Sequence, residues 1–243
     1  VTNYQDTPTD RLTRRAHCTE AIAALVYFAV YLGYLFVNQE TEFMHWLTLV
    51  ALPLGSIILY QRGRDPAWRL RRTLASIGVN RSNLSRGLLL TAAVALLLSS
   101  SQLFISNRRD EIWGIINRGE VLWLLPLTLV ILLLTAGFTE EFFFRGIVQT
   151  RLENWCGSKL WSVLATSLMF SLYHEPYAYF DPDWSSHGSW PDAFAAAFTA
   201  GMLGGIVLGW LYVKTRRNLL ACVVLHVFLN AFPGMVAVKK LLS

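Results

Sequence analysis

Charge is scarce in this chain. Only 15% of its 243 residues are Asp, Glu, Lys or Arg, while 54% are hydrophobic, and the mean hydropathy is +0.41. That balance excludes an ordinary soluble domain, because the apolar residues gather in blocks of about 20, the length that crosses a bilayer core. Cysteine is nearly absent too. Cys18, Cys156 and Cys222 are odd in number and far apart, which excludes a disulfide framework and C-x-x-C metal spacing and leaves them as small apolar residues. No small-residue cleavage site follows the apolar run after Arg15, so that run is expected to be a retained first span rather than a signal peptide. Low-complexity tracts, internal repeats and paired broken helices are also missing, which counts against a secondary transporter.

What is present predicts an all-α fold, a polytopic transmembrane helical bundle of about seven (six to eight) membrane helices. The spans are expected near 21–37, 43–60, 86–105, 121–150, 158–174, 192–213 and 218–237. Residues 1–20 form an N-terminal tail, and residues 21–238 a single membrane-embedded domain. The net charge of +5 does not imply nucleic acid, because its placement is a topology signal. With the N-terminus in the cytoplasm, most of the 21 basic residues fall inside: Arg11, Arg14 and Arg15, the arginines from Arg62 to Arg86, Arg145, Arg151, Lys159, Lys214, Arg216 and Arg217. The expectation is a multi-pass protein of the plasma (inner) membrane with a cytoplasmic N-terminus, its tail included.

Three further segments carry architecture. The basic stretch 62–86 interleaves Trp68, Leu70, Leu74 and Ile77 with its arginines, as a helix on an anionic leaflet or a solvated loop would. The loop from Glu175 to Asp192 is acidic and aromatic, suited to interfacial anchoring or to a lid. Gly201, Gly205 and Gly209 form a doubled G-x-x-x-G face that lets another helix approach closely, and Pro126 is expected to bend its span.

Against this apolar background, Glu140, Glu141 and Arg145 fall on one span. Each ionisable group in hydrocarbon costs at least ~2.5–3.5 kcal/mol, which makes all three functional candidates. Glu141 and Arg145 are four apart and share a helix face, so they can pair. Glu140 is turned about 100° away and has no partner on its own helix, which suits a base that takes a proton from water. His174 lies on the next span, and His226 and Asn230, again four apart, on the last. At 1.5 Å per residue, Glu140, His174, His226 and Asn230 sit roughly 12–24 Å from the inner ends of their helices, near mid-membrane, where one shared cluster satisfies them best.

These three motifs resemble those of the CAAX protease and bacteriocin-processing (Abi) family, which includes the type II CAAX prenyl endopeptidases. The pattern E-E-x-x-x-R, F-x-x-x-H and H-x-x-x-N reads here as Glu140, Glu141 and Arg145; Phe170 and His174; His226 and Asn230. The resemblance covers about 121–235, the expected catalytic core. It implies an intramembrane endopeptidase in which Glu140 and His174 activate water while His226 and Asn230 form an oxyanion hole. Glu141 and Arg145 support them. Ser171 lacks any nucleophile elbow.

The expected cofactor is none. Zinc is the alternative, with Glu140, His174 and His226 as ligands, although there is no H-E-x-x-H and the donors come from three spans. The expected partners are membrane lipids and a membrane-associated peptide or protein substrate, not nucleic acid. The competing functions are a non-catalytic immunity or scaffold protein of the same family and a proton-coupled transporter.

Overall fold

The computed structural model describes residues 8–38, 42–65, 67–79, 84–182 and 184–242, with side chains other than those at 8–14, 42–43 and 84–86. The first seven residues of the expected tail, Arg81, and the side chains of Arg11, Arg14 and Arg86 lie outside the described residues. Among the described residues ten helices follow in order: α1 (Pro8–Val37), α2 (42–64), α3 (Leu70–Ser76), α4 (Leu84–Ile105), α5 (Arg109–Asn117), α6 (Val121–Cys156), α7 (Lys159–Phe180), α8 (Trp190–Lys214), α9 (Leu219–Leu229) and α10 (Ala231–Leu242). No strand occurs among the described residues. The all-α bundle is as expected.

Among the described residues, four helices are long and apolar enough to cross a membrane, Arg15–Val37 within α1, Gly87–Ile105 within α4, α6 and α8; a fifth follows if the bent pair α9–α10 is one span. The chain is an integral membrane protein. Seven spans are not confirmed among the described residues: α2 and α7 are not among those that qualify, and α7 carries Lys159, His174 and Glu175. Leu89, Leu96, Leu97 and Leu122 point outward, as side chains facing hydrocarbon do.

Several boundaries differ from those read in the sequence. α1 begins at Pro8 rather than near residue 21, and Glu20 on its polar stretch lies 3.5 Å from the buried Arg151. α7 continues past His174 to Phe180 with Pro176 inside it, so Tyr177 and Tyr179 belong to a helix and not to a loop. Tyr179 stacks on Trp190 with ring centroids 3.7 Å apart, and Trp190 reaches Phe36 at the end of α1, which ties the 181–189 connection to the bundle. The basic stretch contains α3, which docks on the bundle: Ile77 and Thr73 are buried, and Ser76 lies beside Arg151. Leu70 of the same helix stays exposed.

The non-helical backbone of α6 falls at Thr135 (φ −105°, ψ −107°), not at Pro126. A wide-turn stretch, Leu133–Gly137, surrounds it, and side chains take up the carbonyls it frees: Trp46 Nε1 donates to Leu134 O at 2.7 Å and Thr139 Oγ1 to Thr135 O at 2.7 Å. Gly137 is required there, since a Cβ would stand 2.6 Å from Val227 Cγ2 of α9.

The glycine ladder of α8 does bring that helix against α7. A Cβ on Gly201 or Gly205 would lie 2.9 Å from the Cα of Ser171 or Ser167 respectively. The last expected helix, 218–237, is broken. α9 and α10 meet at 62° across Asn230. Pro233 has no N–H to give the carbonyl four residues back, that of Leu229. Gln102 Nε2 of α4 donates to that oxygen instead, at 2.5 Å, and Ser99 Oγ donates to Phe228 O at 2.7 Å.

Candidate active site

α6 passes through the aromatic core as it delivers its charged residues. Phe142, Phe143 and Phe144 are buried among Phe28 and Tyr31 of α1 and Phe170 and Tyr173 of α7. Glu141 and Arg145 are fully buried, and Glu140 nearly so. Arg145 Nε lies 3.3 Å from Glu141 Oε2, the pair expected from their spacing, though without hydrogen-bond alignment. The guanidinium also lies over the Phe170 ring at 4.7 Å, a cation–π contact that offsets part of its burial.

Glu140, His174 and His226 come together from α6, α7 and α9. Glu140 Oε2 is 3.8 Å from His174 Nε2 and 3.8 Å from His226 Nε2. Those separations exceed a direct hydrogen bond. His174 Nδ1 lies 2.7 Å from Phe170 O. A carbonyl oxygen only accepts, so Nδ1 carries the proton, and in the neutral ring Nε2 presents a lone pair toward Glu140. Two acceptors therefore face each other, and a water seated beside them that donates to both would satisfy the pair.

His226 is held differently. Its Nδ1 lies 2.8 Å from Glu141 Oε1, so the Glu141 carboxylate braces His226 as well as Arg145. The spacing of the sequence showed only the Arg145 half of that arrangement. Asn230 stands at the C-terminal cap of α9, one turn past His226. Among the described residues its side chain makes no hydrogen bond, so the geometry joins three of the four expected catalytic residues directly and leaves Asn230 adjacent along the chain. Ser171 is buried and donates to Ala197 O at 2.9 Å, serving the helix contact.

The motif match now has a structural setting. Residues 122–232 match the Type II CAAX prenyl endopeptidase Rce1-like family. No curated protein and no solved structure matches the chain. The Rce1-like region holds all seven motif residues and ends just past the α9–α10 break, while α1 to α5 lie before it. The family is one of peptidases, in keeping with a carboxylate and two imidazoles gathered inside a membrane bundle.

Residues outside the expected set also reach the site. Tyr173 Oη donates to Glu140 Oε1 at 3.4 Å, and His45 Nε2 lies 2.9 Å from Tyr177 Oη. His45 was detectable in principle, as an ionisable residue within the apolar run Met44–Leu47. Tyr173, next to His174 in a span full of aromatics, gave no such signal.

The donor set suits zinc chemically, but its arrangement does not. Tetrahedral zinc, with ligands at about 2.0–2.1 Å, sets donor atoms about 3.4 Å apart. Both Glu140–His separations are wider than that, and no group of three or more His, Cys, Asp or Glu side chains among the described residues is placed to hold an ion.

Proposed function

We propose that the protein is an intramembrane endopeptidase that hydrolyses a peptide bond of a membrane-associated peptide or protein through a water activated by Glu140 and His174. The observation that carries this reading is the buried Glu140 Oε2, equidistant at 3.8 Å from two imidazole nitrogens on different helices. In the proposed reaction, water donates one hydrogen toward Glu140 Oε2 and one toward His174 Nε2. Its oxygen attacks the scissile carbonyl carbon, one O–H bond breaks, and the proton passes to Glu140. The carbonyl π electrons move to oxygen, and the resulting oxyanion accepts hydrogen bonds from the Asn230 amide and from His226 Nε2–H.

Collapse then re-forms the carbonyl and breaks the C–N bond, and Glu140 returns its proton to the leaving amine. For His226 to donate from Nε2 while Nδ1–H engages Glu141, the ring acts as an imidazolium. The charges of Arg145, His226, Glu140 and Glu141 then balance inside the bundle. No step is routed through a metal. The proposed setting is the plasma membrane with the N-terminus cytoplasmic, supported by the clustering of arginines at 62–72 and 214–217. A prenylated C-terminal peptide is the substrate class that the family suggests.

The test uses purified protein in a fold-preserving detergent and an internally quenched farnesylated peptide ending in a C-a-a-X sequence. Glu140→Gln is expected to abolish cleavage while the protein stays monodisperse, because the amide is isosteric. Full activity in that variant removes the mechanism.

A further inference from the structure

Glu140 has two carboxylate oxygens, and the structure treats them differently. Oε2 faces the histidines and has no hydrogen-bond partner among the described residues. Oε1 accepts from Tyr173, and behind Tyr173 the polar contacts continue through otherwise aromatic packing. Tyr177, one turn further along α7, packs against Tyr173 with ring centroids 5.3 Å apart, and Tyr177 Oη meets His45 Nε2 of α2 at 2.9 Å. In the proposed donor order, His45 Nε2–H donates to Tyr177, Tyr177 to Tyr173, and Tyr173 to Glu140 Oε1. Each hydroxyl gives one bond and takes one.

The rings in this path are held from several helices. Tyr173 is buried against Tyr31 of α1 (centroids 6.2 Å apart), Phe144 of α6 (5.3 Å), Tyr177 (5.3 Å) and His45 (6.4 Å). His45 is itself buried. A polar chain through such packing is costly unless every member is satisfied, and donor chains polarise one another in a low-dielectric interior.

We propose that Tyr173, Tyr177 and His45 are positioning residues of the active site: the chain occupies Glu140 Oε1 and aims Oε2 at the water between Glu140 and His174. One of the three, His45, comes from α2, outside the Rce1-like match. The inference rests on the reading of Glu140 as the base. It assigns the N-terminal half of the chain a part in catalysis.

Tyr173→Phe keeps the ring and removes the donor. It is expected to lower kcat roughly 10- to 100-fold, the span of a hydrogen bond to a charged group, with KM unchanged. His45→Ala lowers kcat in the same direction by less, and His45→Gln, which keeps a donor near Nε2, restores it. Because His45 acts through Tyr173, adding His45→Ala to Tyr173→Phe produces no further loss. A packing role alone moves thermal stability but gives neither the rescue by glutamine nor the missing additivity.

The infrared carboxyl band of Glu140, assigned by its disappearance in Glu140→Gln, supplies the same test without a substrate. It should shift in Tyr173→Phe and in His45→Ala, and His45→Ala should not shift it further once Tyr173 is Phe. Normal kcat in Tyr173→Phe, additive losses, or a band unmoved by both variants overturns the proposal. If Glu140→Gln still cleaves the farnesylated peptide, the reading of the site itself fails. If Glu140→Gln is dead while Tyr173→Phe is normal, only the positioning chain fails.

Discussion

Glu141 Oε1 lies 2.8 Å from His226 Nδ1, while the other oxygen of the same carboxylate lies 3.3 Å from Arg145 Nε. One buried carboxylate therefore serves a cation on its own helix and an imidazole on α9, and it ties the two motifs together across the bundle.

Glu141→Gln removes the charge that both partners need. Breaking a buried pair at one partner costs about 3–5 kcal/mol, because the other charge is left uncompensated. The variant is expected to unfold at a clearly lower temperature in detergent and to lose activity with it. An unchanged Tm would show that Arg145 and His226 are satisfied by other means.

Asn230→Ala tests the oxyanion role. Loss of one such donor typically costs about 100- to 1000-fold in rate. The expected result is a depressed kcat with KM for the farnesylated peptide unchanged. Weakened binding with a normal kcat reassigns Asn230 to substrate recognition.

Gln102→Leu strips the cap from Leu229 O, the carbonyl that Pro233 leaves without a helical donor. Leaving a fully buried carbonyl unsatisfied costs about 1–3 kcal/mol; this contact is part-buried, so Tm should fall by less than that implies. Pro233→Ala restores a backbone N–H at that position. In its background the Gln102→Leu loss should shrink, as a thermal double-mutant cycle would read directly.

Metal dependence is decided by restoration, not by inhibition. Exhaustive chelation is expected to leave cleavage intact, with elemental analysis finding far less than one zinc per chain. If chelation abolishes activity and stoichiometric zinc restores it, Glu140, His174 and His226 become its ligands and the bound water owes its acidity to the metal. Inhibition by an apolar chelator alone does not count, since such a molecule can occupy an apolar cavity.

The amino-acid sequence by itself determined the class of molecule and the identity of its charged core. Apolar blocks of bilayer length are a local property, and so is the cost of placing Glu140, Glu141 and Arg145 among them. The four-residue spacing of Glu141 and Arg145 was enough to pair them. The glycine face of α8 likewise announced a close helix contact, although not that Ser167 and Ser171 would form it.

Tertiary structure decided what depends on register between helices. The backbone departs from helical form at Thr135 and breaks at Asn230 because side chains from other helices, Trp46 and Gln102, take up the carbonyls released there. Pro126 offered a nearer but misleading cue in α6, whereas Pro233 is the cue that marks the α9–α10 break. The second partner of Glu141, the contact of Tyr173 with Glu140 and that of Tyr177 with His45 join residues far apart in the chain. Periodicity places a residue on a face of its own helix. Which side chain meets it there is set only when the helices pack.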